Sequence, residues 1–291
     1  MTSTMNNHQD THARRDGLRP RRSALRISKA FTLIELLTVI SIIAILAALL
    51  LPAISKAKVQ AQKKKAQLEV GQIANAIHTY ESEYSKFPVS SVGANNAMSS
   101  ATASGDDFTY GTAGVSCTGP GGPVVVGNGF RTSGGSYAIP TPVGTYPANN
   151  SEVMAVLLDV ETWPGSPGVA TINQGHVKNP QKTRYLNPTM TSANFASGVG
   201  QDGVYRDPWG NPYIITVDLN YDDKARDAFY KLNAVSGGGL NGLVSKIVGG
   251  VTIYEATSPV MVWSAGPDKM IDPGIAANKG VNADNILSWK P

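Results

Sequence analysis

A chain of 291 residues is long enough to bury a sizeable core, and by length alone it allows two domains. Its excess of 25 Lys/Arg over 21 Asp/Glu belongs to one end: without the seven Lys/Arg and two Asp of residues 1–30, 18 basic and 19 acidic residues remain. That near-neutral remainder excludes the broad basic surface of a nucleic-acid-binding protein, and a single cysteine, Cys117, excludes an intramolecular disulfide.

Residues 1–30 are polar, Arg-rich and aperiodic, the pattern of a segment that builds no core. From Phe31 to Leu51 the chain turns apolar, with one charge, Glu35. At about 1.5 Å per residue, roughly 20 such residues cross a hydrocarbon core of about 30 Å, so Phe31–Ile54 is predicted to span a membrane. The apolar region of a cleavable secretory signal, about 7–15 residues, is too short to match it. A carboxylate in hydrocarbon is unfavourable by about 2.5–3.5 kcal/mol on insertion scales, so Glu35 is expected to have a partner. Pro52 follows, where a bend or a melted turn is expected.

Beyond it, Ala57, Ala61, Leu68, Ile73, Ala76, Ile77, Tyr80 and Tyr84 recur at helical spacing, opposite Lys58, Lys63, Lys64, Gln67 and Glu69. The spacing predicts that the helix continues, now amphipathic, over 55–88, with its end near Ser85 and Pro88 past it. Such a rod, about 80 Å long, suits packing in a membrane or against copies of itself and then against a globular domain. Charge leaves orientation nearly balanced, because Lys56, Lys58, Lys63, Lys64 and Lys65 follow the apolar run closely; the seven basic residues before it slightly favour a cytoplasmic leader.

Val89–Gly200 is rich in Gly, Ser, Ala, Thr and Pro and reads as loops with short strands, such as Pro123–Val126. Glu152–Val160 suggests a short amphipathic helix facing a sheet. Trp163 and His176 are isolated and read as packing or surface residues. In the segment Tyr205–Tyr213, YRDPWGNPY, Asp-Pro and Asn-Pro mark turns and Trp209 and Tyr213 are large anchors. Strands are predicted at Ile214–Val217, Val251–Tyr254 and Val260–Trp263, with a glycine-rich loop, Ser236–Gly242, between the first two. The expected fold class is α+β: a long N-terminal helix packed on a C-terminal domain with a small antiparallel sheet. After the last strand, Asp268, Asp272, Asn278, Asn282 and Asp284 share one glycine-containing loop. Composition alone reads them as turn formers, although they also offer the oxygens calcium takes. No nucleophile, base and orienting group recur together, and the four histidines lack metal-hydrolase spacing, so an enzyme is not expected.

Lys29-Ala30 followed by Phe31-Thr32-Leu33-Ile34-Glu35-Leu36, between a basic leader and an apolar run, resembles the prepilin-type signal of the type IV pilin superfamily. The resemblance implies cleavage between Ala30 and Phe31 by a prepilin peptidase, with Ala30 standing where the family normally has Gly. It implies N-methylation of Phe31, and it implies a leader inside and the bulk of the protein outside. Glu35 takes the place of the family's fifth mature residue, and its implied partner is the amine of Phe31 on a neighbouring subunit. Pro52 matches the proline at which pilin helices bend or melt during packing.

The segments Tyr80–Pro88, Asp207–Tyr213 and Ser264–Trp289 resemble the major pseudopilin of type II secretion systems. That resemblance turns the balance at the last loop toward Ca²⁺, held by Asp268 and Asp284, the carbonyl of Ala265 and Asp272; Pro267 and the Asp268-to-Asp284 spacing depart from the family pattern. The implied organisation is a leader at 1–30, a membrane and assembly helix at 31–54, its amphipathic continuation at 55–88 and a periplasmic domain at 89–291. Residues 89–174 of that domain are taken as an insertion. The implied role is a single-pass inner-membrane subunit that polymerises into a secretion pseudopilus. Its partners would be copies of itself, the peptidase, minor pseudopilins and the inner-membrane assembly platform, with no nucleic acid. Two alternatives stay open: a type IV pilus subunit for adhesion, motility or DNA uptake, and a membrane-anchored binding domain that never polymerises.

Overall fold

The structure is a computed structural model and describes residues 31–89, 107–111, 116–117, 124–126, 130–132, 150–165, 167–193 and 196–290. The leader, Ala30 included, lies outside the described residues. The chain divides into two compact units, Met1–Pro52 and Ala53–Pro291.

What is described of the first unit is the N-terminal part of helix α1, Leu33–Tyr84. Every side chain from Phe31 to Leu51 is exposed, including Leu33, Ile34, Ile45 and Leu49. This stretch is long and apolar enough to cross a membrane. Apolar residues all round a helix, with no protein against them, call for an apolar surrounding. Pro52 sits inside α1 without ending it. Proline cannot donate to the Ala48 carbonyl one turn back, so the ladder loses one bond there while the helix runs on.

In the second unit α1 contributes Ala66, Glu69, Val70, Ile73, Ala76, Ile77 and Tyr80 as its buried stripe. Two residues depart from the expected faces. Leu68 is 67 % exposed and Glu69 only 8 % exposed. The stripe steps by three and four residues through Ala66, Val70, Ile73 and Ile77, and Glu69 falls on it while Leu68 faces away. Burial of Glu69 is possible because the Tyr213 hydroxyl donates to its Oε2. The helix ends at Tyr84, where Ser85 takes a left-handed φ of +51° and its N–H returns to the Glu81 carbonyl at 2.6 Å.

The central sheet is antiparallel, with four strands in the order β1 (Phe108–Tyr110), β2 (Ile214–Val217), β5 (Val260–Ser264) and β6 (Ile286–Leu287). Val217 lies opposite both Phe108 and Val260, and Trp263 opposite Leu287. Strands β2 and β5 are buried at every position, so both faces of the sheet are covered. On one face Ile215, Val217, Val260 and Val262 join Val70, Ile73, Ile77 and Tyr80 of α1. On the other, Ile214, Met261 and Trp263 meet Phe229, Tyr230, Val235 and Tyr254. Each fully buried side chain of this size is worth about 1.5–3 kcal/mol relative to exposure, so these two layers carry most of the fold.

Strands β3 (Val244–Val248) and β4 (Val251–Glu255) form a separate hairpin, outside the central sheet. Val248 pairs with Val251 across Gly249-Gly250, both at positive φ, as a tight two-residue hairpin turn requires. Before the hairpin, helix α3, Asn233–Ser236, leads into the glycine-rich segment, in which Leu240–Gly242 forms a 3₁₀ turn.

The region read as an insertion supplies β1 to the central sheet and helix α2, Ser151–Leu157, to the core. All seven residues of α2 are buried, so it is a core helix and not the amphipathic one expected. Asn150, just before it, is fully buried. Its Nδ2 donates at 2.8 Å to the carbonyls of Tyr205 and Tyr213, and its Oδ1 accepts from Tyr205 N–H at 2.9 Å. Within the same region Val124–Val126 pairs with Phe130–Thr132, and Ser116–Cys117 runs parallel to Met270–Ile271.

Candidate functional site

The first candidate site is the start of α1. Thr32 N–H donates to Glu35 Oε2 at 2.9 Å, the Thr32 hydroxyl to the same oxygen at 2.6 Å, and Glu35 N–H to Thr32 Oγ1 at 3.2 Å. This is a capping box: a Thr and a Glu three residues on satisfy each other's backbone donors at the helix start. The T-x-x-E spacing of Thr32-Leu33-Ile34-Glu35 spells it out, and it gives Glu35 a job within its own chain. One carboxylate oxygen is committed to that job. The other, Oε1, has no hydrogen-bond partner among the described residues. Phe31, beside it, is 74 % exposed.

The second candidate site is the loop that follows β5. It is fastened to the YRDPWGNPY segment by Asp207, which is fully buried and accepts four hydrogen bonds. Trp209 N–H and Asn211 N–H reach its Oδ1 at 2.9 Å; Asn211 Nδ2 and the Ser264 hydroxyl reach Oδ2 at 2.9 and 2.6 Å. Asn211 Nδ2 also donates to the Gly266 carbonyl at 3.0 Å, and Gly266 N–H to Ser264 Oγ at 3.0 Å. Burial still pushes the Asp207 carboxyl above its usual range, against the pull of these donors. Tyr213 and Trp209, the expected anchors, are fully buried and half-buried respectively, and both pack in the layer that faces α1.

Within the loop, Ala265 is buried and Gly266 has φ +74°. A Cβ on Gly266 would lie 2.5 Å from the Asp284 carbonyl oxygen, so the two ends of the loop touch there and only glycine fits. Asp268 and Asp284 are close enough for the charge of Asp268 to raise the Asp284 carboxyl, on top of the larger effect of burial. Asp268 is itself raised by burial. Asp284 Oδ1 is buried with no hydrogen-bond partner among the described residues, and Lys63 of α1 lies near enough to pull both carboxyls back down. An unpaired buried carboxylate oxygen facing a like charge fits a bound cation.

Asp272 is held differently. Its N–H donates to Asn282 Oδ1 at 2.8 Å, its carbonyl accepts from Asn282 Nδ2 at 2.8 Å, and its Oδ1 accepts from Gly274 N–H at 2.7 Å. Asp272 therefore braces the loop through Asn282. Among the described residues no three His, Cys, Asp or Glu side chains gather as a metal-holding group, so any cation here would lean on carbonyl oxygens as well as on Asp268 and Asp284.

Three residues of these sites carry more than their sequence pattern suggested. Lys63, expected on the solvent face, serves the two loop carboxylates, and Glu69 anchors Tyr213. Gln67, expected opposite the apolar face, donates through Nε2 to the Leu287 carbonyl at 3.0 Å. Trp163 lies where a Cβ on Gly203 would touch its ring, and His176 sits between Asp159, at 2.8 Å from Nδ1, and Glu161, at 3.0 Å from Nε2.

Residues 25–51 match the model of the prokaryotic N-terminal methylation motif. The match covers Phe31, Glu35 and the apolar run, and it supports a type IV pilin-like prepilin signal. With the exposed apolar helix, it marks residues 31–51 as a candidate membrane anchor. No curated protein and no solved structure matches the chain.

Proposed function

We propose that this chain is a pseudopilin, cut after Ala30, methylated on Phe31 and polymerised through α1 into a pseudopilus that drives type II secretion. The observation that carries the reading is the methylation-motif match on a helix start whose Glu35 keeps one carboxylate oxygen unpaired. Cleavage turns Phe31 into a chain terminus with a free amine. Four residues of helix separate that amine from Glu35 by about 6 Å, so a neighbouring subunit in register can present its amine to Oε1. An unpaired charge in lipid is unfavourable, and pairing draws each new subunit into place. A non-polymerising anchor would leave Oε1 unpaired in hydrocarbon.

The secretion reading over a pilus rests on the YRDPWGNPY segment, on its junction with the Ser264–Trp289 loop and on the single cysteine, because many pilins close that loop with a disulfide. In the pseudopilin reading Asp268, Asp284 and the Ala265 carbonyl hold Ca²⁺, with Asp272 and Asn282 shaping the loop. Calcium would supply positive charge where two carboxylates meet, in place of a covalent tie. The domain lies in the periplasm, and the partners are copies of the chain, prepilin peptidase, minor pseudopilins and the inner-membrane platform.

Deletion of the gene tests the reading. Loss of exoprotein release with motility and DNA uptake intact is the expected result. Normal release with lost motility or DNA uptake assigns the chain to a type IV pilus, and no change in any of them refutes both. Glu35→Ala should still be cleaved and inserted but assemble poorly; assembly at the normal rate would refute the pairing.

A further inference from the structure

Between Glu35 and Glu69 the chain carries no acidic residue, and within that interval stand Lys56, Lys58, Lys63, Lys64 and Lys65. The domain engages two of them: Lys63 lies within electrostatic reach of Asp268 and Asp284, and Lys65 reaches Glu69 at 3.8 Å and the Ser197 hydroxyl at 3.2 Å. Lys56, Lys58 and Lys64 are exposed and make no ion pair among the described residues. Bare cations just past a membrane span, on the translocated side, work against insertion in that orientation, so their placing calls for a compensating partner.

Position along the helix picks out two of the three. At about 1.5 Å per residue, Lys56 lies about 7.5 Å and Lys58 about 10 Å beyond Leu51, while Lys64 lies about 20 Å beyond it. The polar headgroup layer adds about 5–8 Å to each side of the hydrocarbon core, and charge reaches about 8–10 Å further into salt solution. Lys56 and Lys58 fall inside that zone and Lys64 outside it. At about 100° per residue the two ammonium groups leave α1 on nearly opposite sides, so lipids on either side of the helix meet one of them.

We propose that Lys56 and Lys58 form a collar that binds anionic phospholipid headgroups, of the phosphatidylglycerol type, around each unassembled subunit. The collar rests on the reading of residues 31–51 as a membrane anchor. It holds the subunit at a fixed depth in the bilayer, and a subunit leaving the membrane for a filament must give up these phosphates.

The test uses the full chain reconstituted in phosphatidylcholine vesicles, with spin-labelled phosphatidylglycerol or spin-labelled phosphatidylcholine as probe. The measured quantity is the ratio of their association constants in the motionally restricted lipid shell. The basic leader contributes equally to every variant, so comparison between variants isolates the collar. The native chain should prefer the anionic lipid, and Lys58→Gln should reduce the preference about fivefold, the effect of one juxtamembrane lysine at the surface. Lys56→Gln with Lys58→Gln should reduce it further, while Lys56→Arg with Lys58→Arg and Lys64→Gln should leave it intact. An unchanged ratio in the double Gln variant, or an equal loss with Lys64→Gln, overturns the collar. A chain that alkaline carbonate strips from the vesicles overturns the anchor and the collar with it; a chain that stays embedded with no lipid preference overturns the collar alone.

Discussion

Asp207 is where the YRDPWGNPY turn and the loop after β5 are joined, and its replacement gives the sharpest test of how the domain is held. Asp207→Ala leaves three donors without their acceptor, the N–H groups of Trp209 and Asn211 and the Ser264 hydroxyl, and leaves the Asn211 amide with only its bond to the Gly266 carbonyl. Each buried donor left unpaired costs about 1–3 kcal/mol. Part of that sum is recovered, because the variant no longer buries a carboxylate whose pKa burial already pushes up, and because a hydroxyl can turn to another acceptor. A net loss of about 4 kcal/mol is expected, a large fraction of the 5–15 kcal/mol that holds a typical domain. Asp207→Asn keeps one oxygen for the two backbone donors but turns an amide toward the amide of Asn211, so it should lose about 1–2 kcal/mol. Urea unfolding of the unit Ala53–Pro291, followed by tryptophan fluorescence, reads both. A loss under 1 kcal/mol for Asp207→Ala, or equal losses for the two variants, would refute the assignment of Asp207 as the clasp.

Burial raises the Asp107 carboxyl to about 7, ahead of the lowering by the N–H groups of Arg226 and Leu219 and the raising charge of Asp218. The folded chain therefore keeps a proton that the unfolded chain sheds near 4, and this contribution to stability is present at low pH and is lost as pH rises through about 7. Urea midpoints at pH 4.5 and 8 should fall more steeply for the native chain than for Asp107→Asn; parallel curves would contradict it. Calcium at a hundred times its dissociation constant should add about 2.7 kcal/mol, or roughly 5–10 °C in melting temperature for a domain of this size. Asp284→Ala should remove that difference between calcium and chelator, and equal melting temperatures for the native chain would leave Asp268 and Asp284 as turn formers. Gly266→Ala should lower stability by several kcal/mol, through a Cβ 2.5 Å from a carbonyl oxygen at positive φ, whereas Gly71→Ala, with nothing within 4 Å in a helix interior, should raise it by up to about 1 kcal/mol. Thermal melts of the two variants check the contrast, and its inversion would overturn the loop geometry.

The apolar helix, its end after Tyr84 and strands β2 and β5 were legible because they follow from local pattern: a continuous apolar run, a three-and-four spacing, and β-branched segments bounded by Pro and Gly. The methylation-motif match falls on the residues singled out from F-T-L-x-E. What local pattern missed depends on partners far along the chain. Strand β1 is three residues long in a Gly/Ser-rich region, and it becomes a strand by pairing with Val217 over a hundred residues away. Helix α2 was expected to be amphipathic, yet all seven of its residues, Glu152 included, are buried. Glu69 and Leu68 exchanged expected faces because a single tyrosine hydroxyl, 144 positions on, makes burial of a carboxylate tolerable. The T-x-x-E box at Thr32 is legible in the spacing of Thr32 and Glu35, but within an apolar span the charge of Glu35 is the stronger signal.

The central claim is that the chain is a prepilin whose active form begins at Phe31, and intact-mass and peptide mass spectrometry of the membrane or filament fraction tests it most directly. The expected result is a chain lacking residues 1–30, with an N-terminal peptide that opens on a singly methylated Phe31. An intact Met1, a cut elsewhere such as near Ala57, or an unmodified Phe31 in assembled filaments would contradict it.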